Sequence, residues 1–188
     1  MEKIRCGWCE KDELYKKYHD EEWGRPVYDD DTIFQFLVLE SFQAGLSWYT
    51  ILKKRENFRE AFLNFDYKKI ADFNSDDVEN LMQNQGIIRN RLKILATINN
   101  AQKFLEVQSE FGSFSKYIWN FVDGKPIDNH PETLRDIPAT SQISDALAKD
   151  LKKRGFKFLG STVIYAHMQA TGMVNDHIAN CHCRTSFG

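Results

Sequence analysis

A chain of 188 residues with 42% hydrophobic and 13% aromatic side chains carries enough apolar surface for a substantial core in one or two compact domains. Its formal net charge of -2 excludes a protein that coats nucleic acid, because such domains carry a large basic excess, but leaves local binding open. No apolar run reaches the roughly 18 residues needed to span a bilayer, and the charged opening Met1 to Glu22 is unlike a signal peptide. The expectation is a cytoplasmic protein without a membrane partner.

The first fifty residues are dense in aromatics, with Trp8, Tyr15, Tyr18, Trp23 and Trp48 bracketing Glu40 in sequence. Apolar residues returning at three and four predict helices through Ile33, Phe34, Leu37 and Val38, through Ile51, Leu52, Phe58 and Phe62, and through Leu92, Leu95, Ile98 and Ala101. Glu40 follows the apolar segment Ile33 to Leu39, so it is expected at the edge of the core. Burial there raises a carboxyl pKa unless a structural partner or a ligand supplies donors. Aromatics of this kind are usually core. A pocket for an extruded base, however, needs flat apolar walls plus one or two polar groups, and this segment holds both. Gly45 and Leu46 precede Ser47, a cap for the helix from Trp48, and form a turn able to present an apolar wedge to a base stack.

Asp66 caps the segment containing Ile70 and Ser113 a short aromatic one, while strand-like alternation is almost absent, so the chain reads as all-α. The basic runs Lys53-Lys54-Arg55, Arg89 to Lys93 and Lys149 to Lys157 are by default solvated helix faces. Asp123 to Thr140, with three of the four prolines, is expected to be a long connection. Beyond it, an amphipathic helix capped by Ser144 and ending at Gly155, the segment Phe156 to Gly160, and a second helix from Ser161 predict helix, tight hairpin, helix. Free amides at Ser161 form an anion site suited to phosphate, and Gly160 permits close backbone approach. An ordinary αα-hairpin has the same pattern; Lys152, Lys153, Arg154 and Lys157 favour a DNA backbone.

The four cysteines, Cys6, Cys9, Cys181 and Cys183, all sit near a terminus, and with His19, His177 and His182 they favour a metal over a disulfide framework in a chain without an export signal. His177 and Cys181 stand four apart, so one helical turn capped by Asp176 would face both the same way. Spacing leaves the N-terminal pair open between Cys6/Cys9 and Cys6/His19.

Read together, Cys6-Gly7-Trp8, Tyr18-His19-Asp20, Glu22-Trp23-Gly24, Gln43-Ala44-Gly45-Leu46-Ser47-Trp48, Lys53-Lys54-Arg55-Glu56, Gly86-Ile87-Ile88-Arg89 and Lys152 to Gly160 resemble the 3-methyladenine DNA glycosylase I family along essentially the whole chain. The resemblance implies a helix-hairpin-helix glycosylase fold over residues 1–188, with the hairpin element at about 144–172. It also implies one structural Zn2+ joining termini of about 1–24 and 174–188 through Cys6, His19, His177 and Cys181. Glu40 is implied to be the catalytic and base-reading carboxylate, Trp48 to stack on the base, and Tyr18 and Trp8 to line the site. Gly45, Leu46, Lys153, Lys157, Gly160 and Ser161 are the expected DNA contacts of a monomer acting on double-stranded DNA with alkylated bases. Cys9 and Cys183 fall outside the implied ligand set.

Methylation at N3 makes adenine cationic, so the base leaves neutral and strong acid catalysis is unnecessary; the enzyme must flip the nucleotide, recognise the base and hold an oxocarbenium-like sugar. No lysine follows Lys157, which argues against an imine-forming lyase. Asp176 reads as a helix cap rather than a base. The alternatives are a non-catalytic damage-binding protein of this fold and, more distantly, a zinc hydrolase, which needs an open coordination position.

Overall fold

The computed structural model describes residues 3–43 and 45–184; the outer ends of the expected terminal segments and Ala44 of the 43–48 block lie outside the described residues. Among the described residues ten α-helices follow one another: α1 (Glu13–Glu21), α2 (Asp30–Gln43), α3 (Trp48–Lys53), α4 (Arg55–Ala61), α5 (Tyr67–Ile70), α6 (Ser75–Gln83), α7 (Arg91–Phe111), α8 (Phe114–Trp119), α9 (Gln142–Lys153) and α10 (Ser161–Ala170). Two short strands, β1 (Ile127–Asp128) and β2 (Val174–Asn175), pair in parallel with Ile127 opposite Val174.

α2 is the helix around which the rest is laid. Asp30 and Asp31 place negative charge in its first turn, where the helix dipole favours it. From Ile33 to Phe42 all but Gln35 are buried, a pattern expected of a helix enclosed on every side rather than lying on a surface. Phe34 and Phe42 join Phe58, Phe62, Phe65, Phe104 and Phe114 as the largest fully buried side chains. Asp30 also accepts from the backbone amides of Phe114 (2.9 Å) and Ser115 (2.8 Å), so the start of α2 supplies partners to the first turn of α8.

Ser47, Asp66 and Ser113 cap α3, α5 and α8 as expected. Other expectations are corrected. Ile51 to Phe62 is not one helix, because the chain turns at Lys54 and divides it into α3 and α4. Leu92 and Leu95 stay 67% and 46% exposed; the buried stripe of α7 is Ile94, Ile98, Ala101, Phe104 and Val107. Ser141, not Ser144, caps α9. Ser144 sits at the third helical position and closes a capping box, its Oγ accepting from the Ser141 amide at 2.7 Å. The long connection 123–140 carries β1 and a tight turn at Leu134–Asp136 closed by Thr133 and Asp136, and it brings Leu134 and Ile137 to the site described next.

Candidate active site and metal cluster

A cavity of about 300 Å³ opens between α1, α2, α3 and α10. All five aromatics of the N-terminal segment line it, together with Glu40, Gln43, Leu134, Ile137 and one side of α10. The aromatic walls brace each other: Trp8 meets Tyr15 edge-on at 4.9 Å and Trp23 edge-on at 5.1 Å, and Tyr18 lies 5.5 Å from Trp48. Edge-to-face packing of this kind fixes ring orientation beyond what simple burial does. Trp48 stacks in turn on Phe36 of α2, and its indole Nε1 is buried without a partner.

Glu40 is 2% exposed, and its two oxygens have different surroundings. Oε2 lies 2.8 Å from Nδ1 of His167 on α10, whereas Oε1 has no protein partner. Burial pushes the Glu40 carboxyl above its ordinary range, and the adjacent imidazole pulls it back. Burial holds the Tyr18 phenol well above its usual pKa as well, so Tyr18 faces Glu40 as a neutral group. A half-satisfied carboxylate on the wall of an aromatic cavity is an acceptor waiting for a donor. His167 escaped the sequence reading, because one histidine 127 positions from Glu40 on an apolar helix carries no local signal.

Cys6, His19, His177 and Cys181 come together behind the same aromatic wall, all buried, with their donor atoms within 4.8 Å of one another. Sγ of Cys181 lies 3.4 Å from Nδ1 of His177 and 3.5 Å from Nε2 of His19; Sγ of Cys6 lies 3.4 Å from Nδ1 of His177. Ordinary Zn–S and Zn–N bonds at the tetrahedral angle give a ligand–ligand edge of about 3.6 Å, so the donor set fits such an ion. The other ring nitrogens are engaged elsewhere, Nδ1 of His19 with Asp20 (2.8 Å) and Nε2 of His177 with the Trp23 carbonyl (3.2 Å), which turns the remaining nitrogens toward the thiols. The hydrogen bond between the thiols lowers the Cys181 pKa and raises that of Cys6. A dication bound there would favour the thiolate form of both cysteines. Four buried donors would leave an ion bound among them no open position of the kind hydrolytic zinc uses.

The ambiguous N-terminal pair is thereby Cys6 and His19 in space; Cys9 is buried outside the cluster. One expectation fails: residues 176–181 are not helical, and Asp176 does not cap them. Its carboxylate instead accepts from Tyr165 (2.7 Å), Gln169 (2.8 Å) and Asn129 (2.7 Å), fixing the strand after α10 to that helix. Gly24 permits the close approach of α1 and the C-terminal segment. It has φ +77, and a Cβ there would lie 2.8 Å from Nε2 of His177.

The expected hairpin forms between α9 and α10. Gly155, at φ +92, ends the first helix, and Phe156 and Leu159 anchor the turn in the core. Asn99 donates to the Gly155 carbonyl (2.9 Å), while Asn100 donates to the Lys157 carbonyl (2.9 Å) and accepts from its amide (2.9 Å). These two residues of α7 were not singled out in the sequence. Lys153, Lys157 and Gly160 are exposed. Arg154 is committed to Glu110 and Asp150, and the Ser161 hydroxyl donates to Asp145, so at Ser161 the amide is the group left for an anion. Leu46 is 41% exposed beside exposed Gly45, in the turn between α2 and α3.

A helical protein with an aromatic, singly carboxylated cavity beside a hairpin of this kind has the form of one that reads a base turned out of a duplex. The chain belongs to the methyladenine glycosylase family, whose sequence profile matches residues 8–185. It is 50% identical to DNA-3-methyladenine glycosylase 1 of Escherichia coli (strain K12), over 95% of this chain and 96% of that protein. To the DNA-3-methyladenine glycosylase of Haemophilus influenzae it is 48% identical, over 97% of this chain and 98% of the relative. A solved variant of 3-methyladenine DNA glycosylase I in complex with 3-methyladenine is 40% identical, with a TM-score of 0.94, covering 96% of this chain and 97% of that one.

Proposed function

We propose that this chain is a DNA glycosylase of base excision repair that hydrolyses the N-glycosidic bond of 3-methyladenine in alkylated double-stranded DNA, without lyase activity. The observation that carries the reading is the unpartnered Oε1 of Glu40 on the wall of the aromatic cavity. The relatives' names and the bound 3-methyladenine of the solved variant support it.

In this reading Oε1 accepts a hydrogen bond from the exocyclic amine of the base, which an oxo base lacks. Trp48 stacks on the purine, and Trp8 and Tyr18 close the other walls. Aromatic faces and a buried carboxylate both favour a cation, so the alkylated nucleotide is held selectively while its glycosidic bond is labile. Positive charge then moves to the sugar as the base leaves neutral. Lys153, Lys157 and the amides at Gly160 and Ser161 take phosphates, and Leu46 with Gly45 fills the gap left in the stack.

Zn2+ held by Cys6, His19, His177 and Cys181 would be structural, cross-linking the two terminal segments of a single interleaved unit. No helix among the described residues is long and apolar enough to cross a membrane, and a monomer acting in the cytoplasm suits the reading. Chromatography of bases released from methylated DNA tests it: 3-methyladenine should appear with the strands uncut. A protein that binds such DNA and releases no base would be a damage-binding module instead.

A further inference from the structure

We infer that His167 is a positioning residue for Glu40: its Nδ1–H donates to Oε2, holding the carboxylate as an acceptor with Oε1 presented to the cavity. The inference rests on the reading of Glu40 given above. His167 is 1% exposed and does not itself line the cavity, so it acts on a bound base only through Glu40.

The geometry selects the tautomer. Oε2 and Nδ1 are 2.8 Å apart, while Nε2 of His167 is buried without a partner. A buried orphan N–H is costlier and rarer than a buried bare acceptor. The ring proton therefore belongs on Nδ1, where it has a partner, and Nε2 keeps a bare lone pair. A ring with its proton on Nε2 would set two lone pairs against each other at Nδ1 and Oε2 and orphan the N–H as well.

This contact changes what Glu40 can do. A protonated carboxyl would itself donate, to Nδ1 or into the cavity, and a donor cannot accept from an amine. His167 is the one protein donor to Glu40 among the described residues. The facing elements offer no substitute: α1 presents Tyr18, whose phenol is neutral, α3 presents Trp48, whose Nε1 has no partner, and α2 holds Glu40 itself. Removing the donor leaves burial unopposed, so the carboxyl protonates at higher pH and the acceptor is lost first on the acid side.

Nitrogen-15 NMR of the metal-loaded wild-type protein, without DNA, tests the contact directly. The expected result is a His167 ring with its proton on Nδ1; a proton on Nε2 alone overturns the inference. Single-turnover excision against pH then compares wild type, His167→Leu and His167→Asn, with Glu40→Gln as reference. His167→Leu should move the acid limb up by about one pH unit, since a hydrogen bond to an ionised acceptor is worth on the order of tenfold. His167→Asn, which places an N–H near the former Nδ1, should restore most of that shift. A folded His167→Leu protein with a wild-type profile, alongside an impaired Glu40→Gln, overturns the inference and leaves the reading of Glu40 standing. Unimpaired Glu40→Gln overturns that reading instead, and the tautomer measurement still decides the contact.

Discussion

Tyr18 and His19 are consecutive residues of α1, both buried, yet Tyr18 walls the aromatic cavity while His19 belongs to the Cys/His cluster behind it. The two sites also share Trp23, which lines the cavity and meets the His177 ring edge-on at 4.7 Å. The cluster and the cavity therefore share a wall, formed by adjacent residues of α1 and by Trp23.

If the cluster holds the proposed zinc, replacing Cys181 or His177 by alanine should lower both zinc content and stability. A structural zinc site contributes on the order of 10 kcal/mol or more, so losing one of four ligands should cost about 3 kcal/mol. Elemental analysis and calorimetry read the two effects, and the folded fraction should still excise base. A stable, zinc-replete, inactive variant would contradict a structural role.

Gly24→Ala should act on the same cluster without touching a ligand. The new methyl meets Nε2 of His177, and the backbone is at φ +77. The expected loss is about 2 kcal/mol in calorimetry, with faster zinc release to a chelator. Unchanged melting and zinc retention would show that α1 and the C-terminal segment can move apart freely.

Lys153→Ala and Lys157→Ala should each weaken binding to damaged and undamaged duplex alike. A phosphate contact carries no base information, and each one lost should flatten the slope of log affinity against log salt by about 0.9. Titrations at several salt concentrations measure this. A defect confined to alkylated DNA would remove the hairpin from the duplex backbone.

Asn100→Ala should loosen the hairpin from within. Asn100 makes both a donated and an accepted hydrogen bond to the backbone of Lys157. Their loss is expected to cost about 1–3 kcal/mol of stability and to weaken duplex binding, leaving affinity for free 3-methyladenine unchanged. A parallel fall in both affinities would place Asn100 in the cavity's support instead.

Glu40→Gln keeps the shape and removes the charge. Single-turnover excision should fall by roughly tenfold to a hundredfold, the range of a charged hydrogen bond of about 1.5–3 kcal/mol made mainly in the transition state. Affinity for the neutral free base should fall less than the rate. The carboxyl's folded pKa is raised by burial, so wild-type excision is complete above that pKa and is lost as pH falls through it, whereas the amide variant should lack this limb.

The residues legible in the sequence were those whose signal is local or compositional. Aromatic density around Glu40 pointed to the cavity, the cysteines at both ends pointed to the cluster, and caps such as Ser47, Asp66 and Ser113 declared themselves beside the helices they start. Relationships between distant segments were not legible. His167 meets Glu40 only because α10 crosses α2, and Asn100 meets Lys157 only because α7 passes under the hairpin. Leu92 and Leu95 have helical spacing but lie off the buried stripe, since periodicity gives a face without saying which face is inward. The spacing of His177 and Cys181 suggested a helical turn, whereas an irregular segment brings both donors to the cluster.

Ser161 and His167 stand six residues apart on α10, and a helix rises about 1.5 Å per residue, so about 9 Å separates the start of the rod from the level of Glu40's partner. If the amides at Ser161 hold a phosphate, that rod is a depth gauge. It sets how far a nucleotide must swing from its strand before its base reaches the carboxylate. Undamaged nucleotides would meet the same gauge, so the cavity would discriminate at the far end of the swing, on top of whatever selection the cost of leaving the stack has already made.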